Sequence, residues 1–235
     1  MTASESSEFW LFGYGSLIWK PPPHFDRRVP GWVTGYVRRF WQVSSPGLRL
    51  FEDHRGTPEA PGRVVTLIQK SYWDQLTDQH AAGPDKVWGV AYRILSDRVA
   101  QVKDYLDIRE INGYSIHYTP FHPADGSPSL TTLVYIGTPD NEQFVGPQDP
   151  HKLAAHILRS QGPSGLNKDY LYNLHVALQE LSPESGDHHI SDLAQRVKKL
   201  EHDTASGVAA PTPRDPDQDF RQESSTTEAE EVEKA

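Results

Sequence analysis

The chain has 235 residues, enough for one sizeable domain and marginal for two. It carries a formal charge of −9 and no cysteine, which excludes disulfides, thiolate metal sites and a cysteine nucleophile and makes nucleic acid an unexpected partner. No window reaches the length of a membrane span and Met1–Glu8 lacks an apolar signal core, so the cytosol is the expected compartment and no membrane partner is expected.

In chain order, aromatic and β-branched runs bounded by Gly and Pro predict strands over Glu8–Gly13, Trp32–Val43, Arg63–Gln69, Val87–Ile94, Tyr114–His122 and Leu130–Ile136. The second run is long, and Gly35 marks it as bent or bulged. A long loop is expected over Gln42–Arg63, and a short helix over Ser71–Gln79. Asp97 is positioned to cap a helix over Arg98–Asp107, with Val99, Val102, Tyr105 and Leu106 on one face. Asp149-Pro150 reads as a cap with proline at the first helical position, Leu153, Ala154, Ile157 and Leu158 follow on one face, and Gly162 is the expected stop. Asn167 opens a further helix in which Leu171, Leu174, Leu178 and Leu181 are in phase before Pro183, and Ser191–His202 forms a last amphipathic helix. Strands come first and helices later. That order predicts an α+β fold around a small antiparallel β-barrel with packed helices. The expected catalytic domain is 8–202. Residues 203–235 hold nine acidic and three basic residues, −6 of the total −9, and are expected to be a disordered acidic tail.

The most informative motif is Gly13-Tyr14-Gly15-Ser16-Leu17-Ile18, between the apolar runs Phe9–Phe12 and Leu17–Trp19. Glycine serves where the chain takes a positive φ or closely approaches a ligand, and such a turn presents backbone N–H groups suited to a carboxylate. The same composition also makes a plain turn between strands. It lacks the third glycine of a dinucleotide fingerprint, the Gly-Lys-Ser/Thr of a P-loop and the order of a hydrolase elbow. A second motif, Asp107-Ile108-Arg109-Glu110-Ile111-Asn112-Gly113-Tyr114, stands at a helix-to-strand junction. A partly buried carboxylate at a helix C-terminus has a raised pKa, as a general base near neutral pH needs. An ion pair between Glu110 and Arg109 or another surface partner is the competing reading. Asp53-His54-Arg55 supplies charge to a site or forms a turn. His151 and His156 are five apart and do not share a helix face as metal ligands would; these and His188-His189 read as surface or linker residues.

Several segments combine in one order. Phe12–Trp19, Val37–Gln42, Asp53–Pro58, Pro61–Leu67, Val87–Arg93, Tyr105–Glu110, Asn112–Tyr114, Val134–Ile136 with Thr138–Asn141, Gly162–Asn167 and Tyr170–Leu171 followed by Asn173–Leu174 together resemble the ChaC-like γ-glutamylcyclotransferases, over about Phe9 to Leu181. The resemblance implies an α+β fold around a small antiparallel barrel. It implies an enzyme that releases 5-oxoproline and cysteinylglycine from reduced glutathione, with no metal or organic cofactor. The γ-glutamyl-binding loop falls on Gly13, Tyr14, Gly15, Ser16, Leu17 and Ile18, and the catalytic glutamate on Glu110. Arg39, Arg55 and Tyr114 are the further contacts considered. Two departures from the family pattern are an extra stretch at Pro46–Phe51 and Ile111 in place of the lysine that usually follows the glutamate.

Overall fold

The computed structural model describes residues 8–44, 55–57, 60–80, 85–109 (the last three as backbone) and 114–207. Two compact units divide the chain, 1–199 and 200–235, and the first holds every strand of the fold.

Five strands close a barrel. They are β1 (Phe9–Gly13), β2 (Phe25–Val33), β5 (Val87–Ile94), β6 (Tyr114–Pro123) and β7 (Leu130–Gly137), in the order β1-β5-β2-β6-β7. β1 is paired on both edges, antiparallel to β5 and parallel to β7 with Leu11 beside Leu133. Trp10, Leu11 and Phe12 are all buried, so both faces of the strand are covered, and such a strand reads as an unbroken apolar run. One parallel junction therefore closes an otherwise antiparallel barrel. In β6, Thr119 and Phe121 face inward while Ile116 and Tyr118 stay exposed, the alternation of a half-buried strand.

β3 (Tyr36–Ser44) and β4 (Gly62–Gln69) form a separate two-stranded sheet. The expected single strand over Trp32–Val43 is thus two strands in two sheets. Gly35, at φ +81, provides the left-handed turn that redirects the chain between them. The hairpin buries Val37, Trp41 and Ile68 against Trp73 of α1 (Lys70–Trp73), with Tyr72, Leu76 and Phe144 at the edge. One link to the barrel is a side chain acting as a strand partner: Thr66 Oγ1 accepts from the Gly137 N–H and donates to the Gly137 carbonyl, each at 3.0 Å.

Four further helices follow: α2 (Val99–Arg109), α3 (Pro150–Arg159), α4 (Asn167–Leu181) and α5 (His188–Ala205), the last crossing the division between units. Asp149 caps α3 as its sequence predicts, accepting from the N–H groups of His151 and Lys152 at 2.9 Å. Asp97 does not cap α2; it lies inside a 3-10 turn, Ser96–Arg98, that leads into the helix without a side-chain cap. Gly162 is not the stop of α3, which ends at Arg159. It belongs instead to a short hairpin, β8 (Gln161–Gly162) with β9 (Gly165–Leu166), that leads into α4. Asn167 then bonds both backbone groups of Arg63 at 2.7 Å, fastening the start of α4 to β4. The expected tail beyond residue 207 lies outside the described residues.

Candidate active site

β1 and β7 run in the same direction, so their C-terminal ends lie at one end of the barrel. The turn leaves β1 there, and Tyr14 donates its hydroxyl to the Tyr135 carbonyl of β7 at 2.8 Å. β6 begins at the same end, with Tyr114 opposite Gly137. β6 thus starts at the barrel end where the turn leaves β1, and Glu110, four positions before Tyr114, lies outside the described residues.

The turn is a single 3-10 helix, Ser16–Ile18, held by bonds from the Ile18 N–H to the Gly15 carbonyl at 3.0 Å and from the Lys20 N–H to the Ser16 carbonyl at 2.8 Å. Those bonds use carbonyls at the start of the turn and leave the Leu17 amide outside them. Tyr92 fixes the far side by donating to the Leu17 carbonyl at 2.7 Å. Neither Gly13 nor Gly15 has a positive φ; both are required by close approach. A Cβ at Gly13 would stand 2.6 Å from Leu17 Cβ, and one at Gly15 would stand 2.9 Å from Tyr170 Oη and 3.0 Å from Val65 Cγ2.

Tyr170, in the first turns of α4, is therefore the wall facing the turn, a role hidden in the sequence because the residue falls in phase with the buried leucines of its helix. Its ring is packed edge-on by Trp19 at 5.4 Å and Phe40 at 5.8 Å, and the Arg55 guanidinium lies over it, 5.9 Å from the centroid. Arg55 thereby joins the neighbourhood of the turn.

Arg39 does not. Its guanidinium is drawn the other way, donating to Asp78 at 2.6 Å, to the His80 carbonyl at 3.0 Å and to the Arg38 carbonyl at 2.8 Å. Arg38 is buried behind the site, bonded to Asp187 and to the Trp88 carbonyl. Burial pulls its guanidinium below the ordinary arginine value, and Asp187 opposes that pull.

The histidine readings need one correction. His188 is exposed, but His189 is buried and bonded through both ring nitrogens. It accepts from the Phe40 N–H at 3.1 Å and meets His80 Nδ1 at 3.1 Å, while His80 Nε2 meets Asp192 at 2.8 Å. His156 is held by the Pro61 carbonyl at 2.8 Å. Among the described residues, no group of three or more His, Cys, Asp or Glu side chains is arranged to hold a metal ion, and no helix is long and apolar enough to cross a membrane.

A closed five-stranded barrel with flanking helices defines an α+β barrel protein, and the glycine-serine turn walled by a tyrosine at one barrel end is its candidate site. Residues 9–200 match the ChaC-like protein family, and the chain belongs to that family. It is 45% identical over 202 residues to the glutathione-specific γ-glutamylcyclotransferase of Schizosaccharomyces pombe, covering 84% of this chain and 96% of that one. To the protein of the same name from Saccharomyces cerevisiae it is 37% identical over 235 residues, covering 83% and 98%. The crystal structure of a yeast γ-glutamylcyclotransferase specific to glutathione superposes with a TM-score of 0.72 at 37% identity, covering 83% of this chain and 97% of that one.

Proposed function

We propose that this protein is a glutathione-specific γ-glutamylcyclotransferase that converts reduced glutathione into 5-oxoproline and cysteinylglycine. The observation that carries the reading is the convergence at one barrel end of the Gly13–Ile18 turn and of the strand start, Tyr114, that follows Glu110 by four residues. In this reading 8–202 is the catalytic domain and 203–235 an acidic extension outside it. With no cysteine to call for an oxidising compartment, the reaction is assigned to the cytosol.

The chemistry is intramolecular. The turn's amides hold the α-carboxylate of the γ-glutamyl group and fold its chain back on itself. The neutral α-amine attacks the γ-carbonyl carbon, and Glu110 takes the proton that this nitrogen sheds as the new C–N bond forms. Free α-amines have a pKa of about 7.7–8.0, so near neutral pH most of the substrate is ammonium and must give up a proton before or during attack. When the tetrahedral centre collapses, the bond to the cysteinyl nitrogen breaks and Glu110 returns the proton to that nitrogen. No water is consumed. Well-oriented ring closure removes about 7–11 kcal/mol from a barrier, so holding the substrate bent matters as much as the base. Backbone amides of Tyr14–Leu17 also serve the developing oxyanion. Tyr114 and Arg55 complete the substrate contacts, and Arg39, turned toward Asp78 and His80, takes no part in them.

The test is turnover of reduced glutathione with both products identified, for wild type beside Glu110→Gln. Wild type releases both products, and the variant loses about 10²–10⁴-fold in rate. Equal rates would remove Glu110 from the base role. No product from wild type would remove the activity. Cleavage of γ-glutamyl-alanine but not of glutathione would move the enzyme to another substrate class.

A further inference from the structure

Three arginines are buried among the described residues: Arg38, Arg39 and Arg55, at 1%, 1% and 5% exposure. The first two have counter-ions, Asp187 at 3.4 Å and Asp78 at 2.6 Å. Arg55 has no carboxylate within ion-pairing distance among the described residues. Its guanidinium donates from Nη1 to the Leu166 carbonyl at 3.2 Å, and its Nε is buried with no partner among the described residues. Buried charges in proteins are ordinarily paired, because an isolated one forfeits its hydration for nothing. The missing anion is the feature to explain.

The surroundings say where that anion comes from. Gly165, at φ +102, lets the β8–β9 turn come so close that an added Cβ would stand 3.3 Å from Arg55 Nη1. Its neighbour Ser164 holds a second buried polar atom, Oγ, that has no partner among the described residues. On the other side, Arg55 lies on the face of Tyr170, whose hydroxyl is the group nearest Gly15. One tyrosine ring thus separates the amide turn from an unneutralised guanidinium. The turn takes one carboxylate in the function proposed above, and a tripeptide substrate carries a second carboxylate about 10 Å further along an extended chain.

We propose that Arg55 binds the C-terminal carboxylate of the substrate's leaving dipeptide, with Ser164 Oγ as its second contact; the inference rests on the cyclotransferase reading. A planar guanidinium takes a carboxylate through two parallel hydrogen bonds. A site that leaves such a donor unpaired rejects ligands lacking the anion. Arg55 is then the residue that makes the enzyme prefer a γ-glutamyl peptide over neutral γ-glutamyl amides and amines.

The experiment compares reduced glutathione with its glycine monoethyl ester, which removes only the distal charge, using the full chain and 5-oxoproline release. Wild type is expected to lose about tenfold or more in kcat/KM on the ester, mainly through KM. Arg55→Met brings glutathione down to the level of the ester, and Arg55→Lys recovers part of the preference. Wild type cleaving acid and ester equally would overturn the proposal while leaving the cyclotransferase reading intact. So would Arg55→Met lowering both substrates by the same factor, the mark of a structural role or of contact with the α-carboxylate. Wild type cleaving neither would overturn the underlying reading and this inference with it. If Arg55→Met fails to fold, the wild-type comparison and Ser164→Ala, which is expected to narrow the preference, decide the matter.

Discussion

A methyl group at Gly15 has nowhere to go: Tyr170 Oη and Val65 Cγ2 already stand at 2.9 and 3.0 Å from where it would sit. Tyr170 is held by rings on two sides, so Gly15→Ala is expected to push the turn rather than the tyrosine. Misplacing a bound substrate by about 1 Å costs about 10²-fold in rate, whereas overpacking costs about 1–3 kcal/mol of stability. Steady-state kinetics beside a thermal melt should therefore show a large fall in kcat/KM and a modest fall in Tm; unchanged kinetics would remove the turn from the mechanism. Asp78 makes the opposite kind of residue-scale case. It holds Arg39 and also accepts from Trp73 Nε1 at 2.9 Å. Asp78→Ala leaves a buried guanidinium unpaired and is expected to destabilise the fold by about 3–5 kcal/mol, read from urea denaturation. The turn is legible in the sequence because its glycines punctuate an apolar run. Which buried arginine lacks a counter-ion is not, because Asp187 lies 149 positions from Arg38 and Asp78 lies 39 from Arg39. Such pairings are made by the fold and leave no local pattern.

Elements are legible where a local device starts them, as Asp149-Pro150 does for α3, whereas Asn167 opens α4 with no side-chain cap and turns its side chain to Arg63. They escape the sequence where tertiary pairing decides. Nothing in the polar stretch Phe25–Arg28 marks a strand until β5 offers it an edge, and α5 starts at His188, earlier than its apolar phase suggests. Asp187 sets that early start, its Oδ1 accepting from the Ile190 N–H at 3.3 Å, and the first turn so formed carries His189. Its Nε2 accepts the Phe40 N–H, so its proton sits on Nδ1 and is donated to His80 Nδ1. His80 Nε2 in turn meets Asp192, so α5 is clasped to β3 through His189 and holds the His80 ring through His189 and Asp192. Burial, with the nearby charges of Arg39, His80, His188 and Arg38, holds the His189 pKa well below 6.5. Below about pH 6.5 the unfolded chain takes up a proton that the folded chain refuses, so stability falls as pH falls through that value and is complete above it. The slope reaches about 1.4 kcal/mol per pH unit for this one group. His156 and His175, also lowered by burial, act in the same direction. Urea midpoints are expected to drop between about pH 7 and pH 5, and His189→Gln should flatten that dependence while lowering stability at neutral pH. An unaltered profile in the variant would take His189 out of the clasp.

At the scale of the whole molecule, charge and family extent divide the chain at nearly the same point. The family match stops at residue 200. Residues 208–235 contain eight acidic and three basic residues, −5 of the total −9, and Phe220 is their one aromatic. A segment of that composition contributes little apolar area to a core and much like-charge repulsion. Every residue assigned to the site lies between Gly13 and Tyr170, and α4, which carries the Tyr170 wall, and its neighbour α3 bury apolar faces: Leu153, Ala154 and Ile157 on α3, and Leu171, Leu174 and Leu178 on α4. A chain ending at Gly207 should therefore keep kcat/KM for glutathione within about twofold and keep its Tm, since the partners described above for the turn, the Tyr170 wall and the His189 clasp all lie before residue 208. Its net charge moves from −9 to −4 (−9 minus −5), so it should elute earlier from an anion exchanger and lose solubility at low ionic strength. The two readouts separate the possibilities. A fall in kcat/KM at constant Tm would mean that the acidic extension takes part in the reaction, whereas a parallel fall in both would mean that it belongs to the folded body.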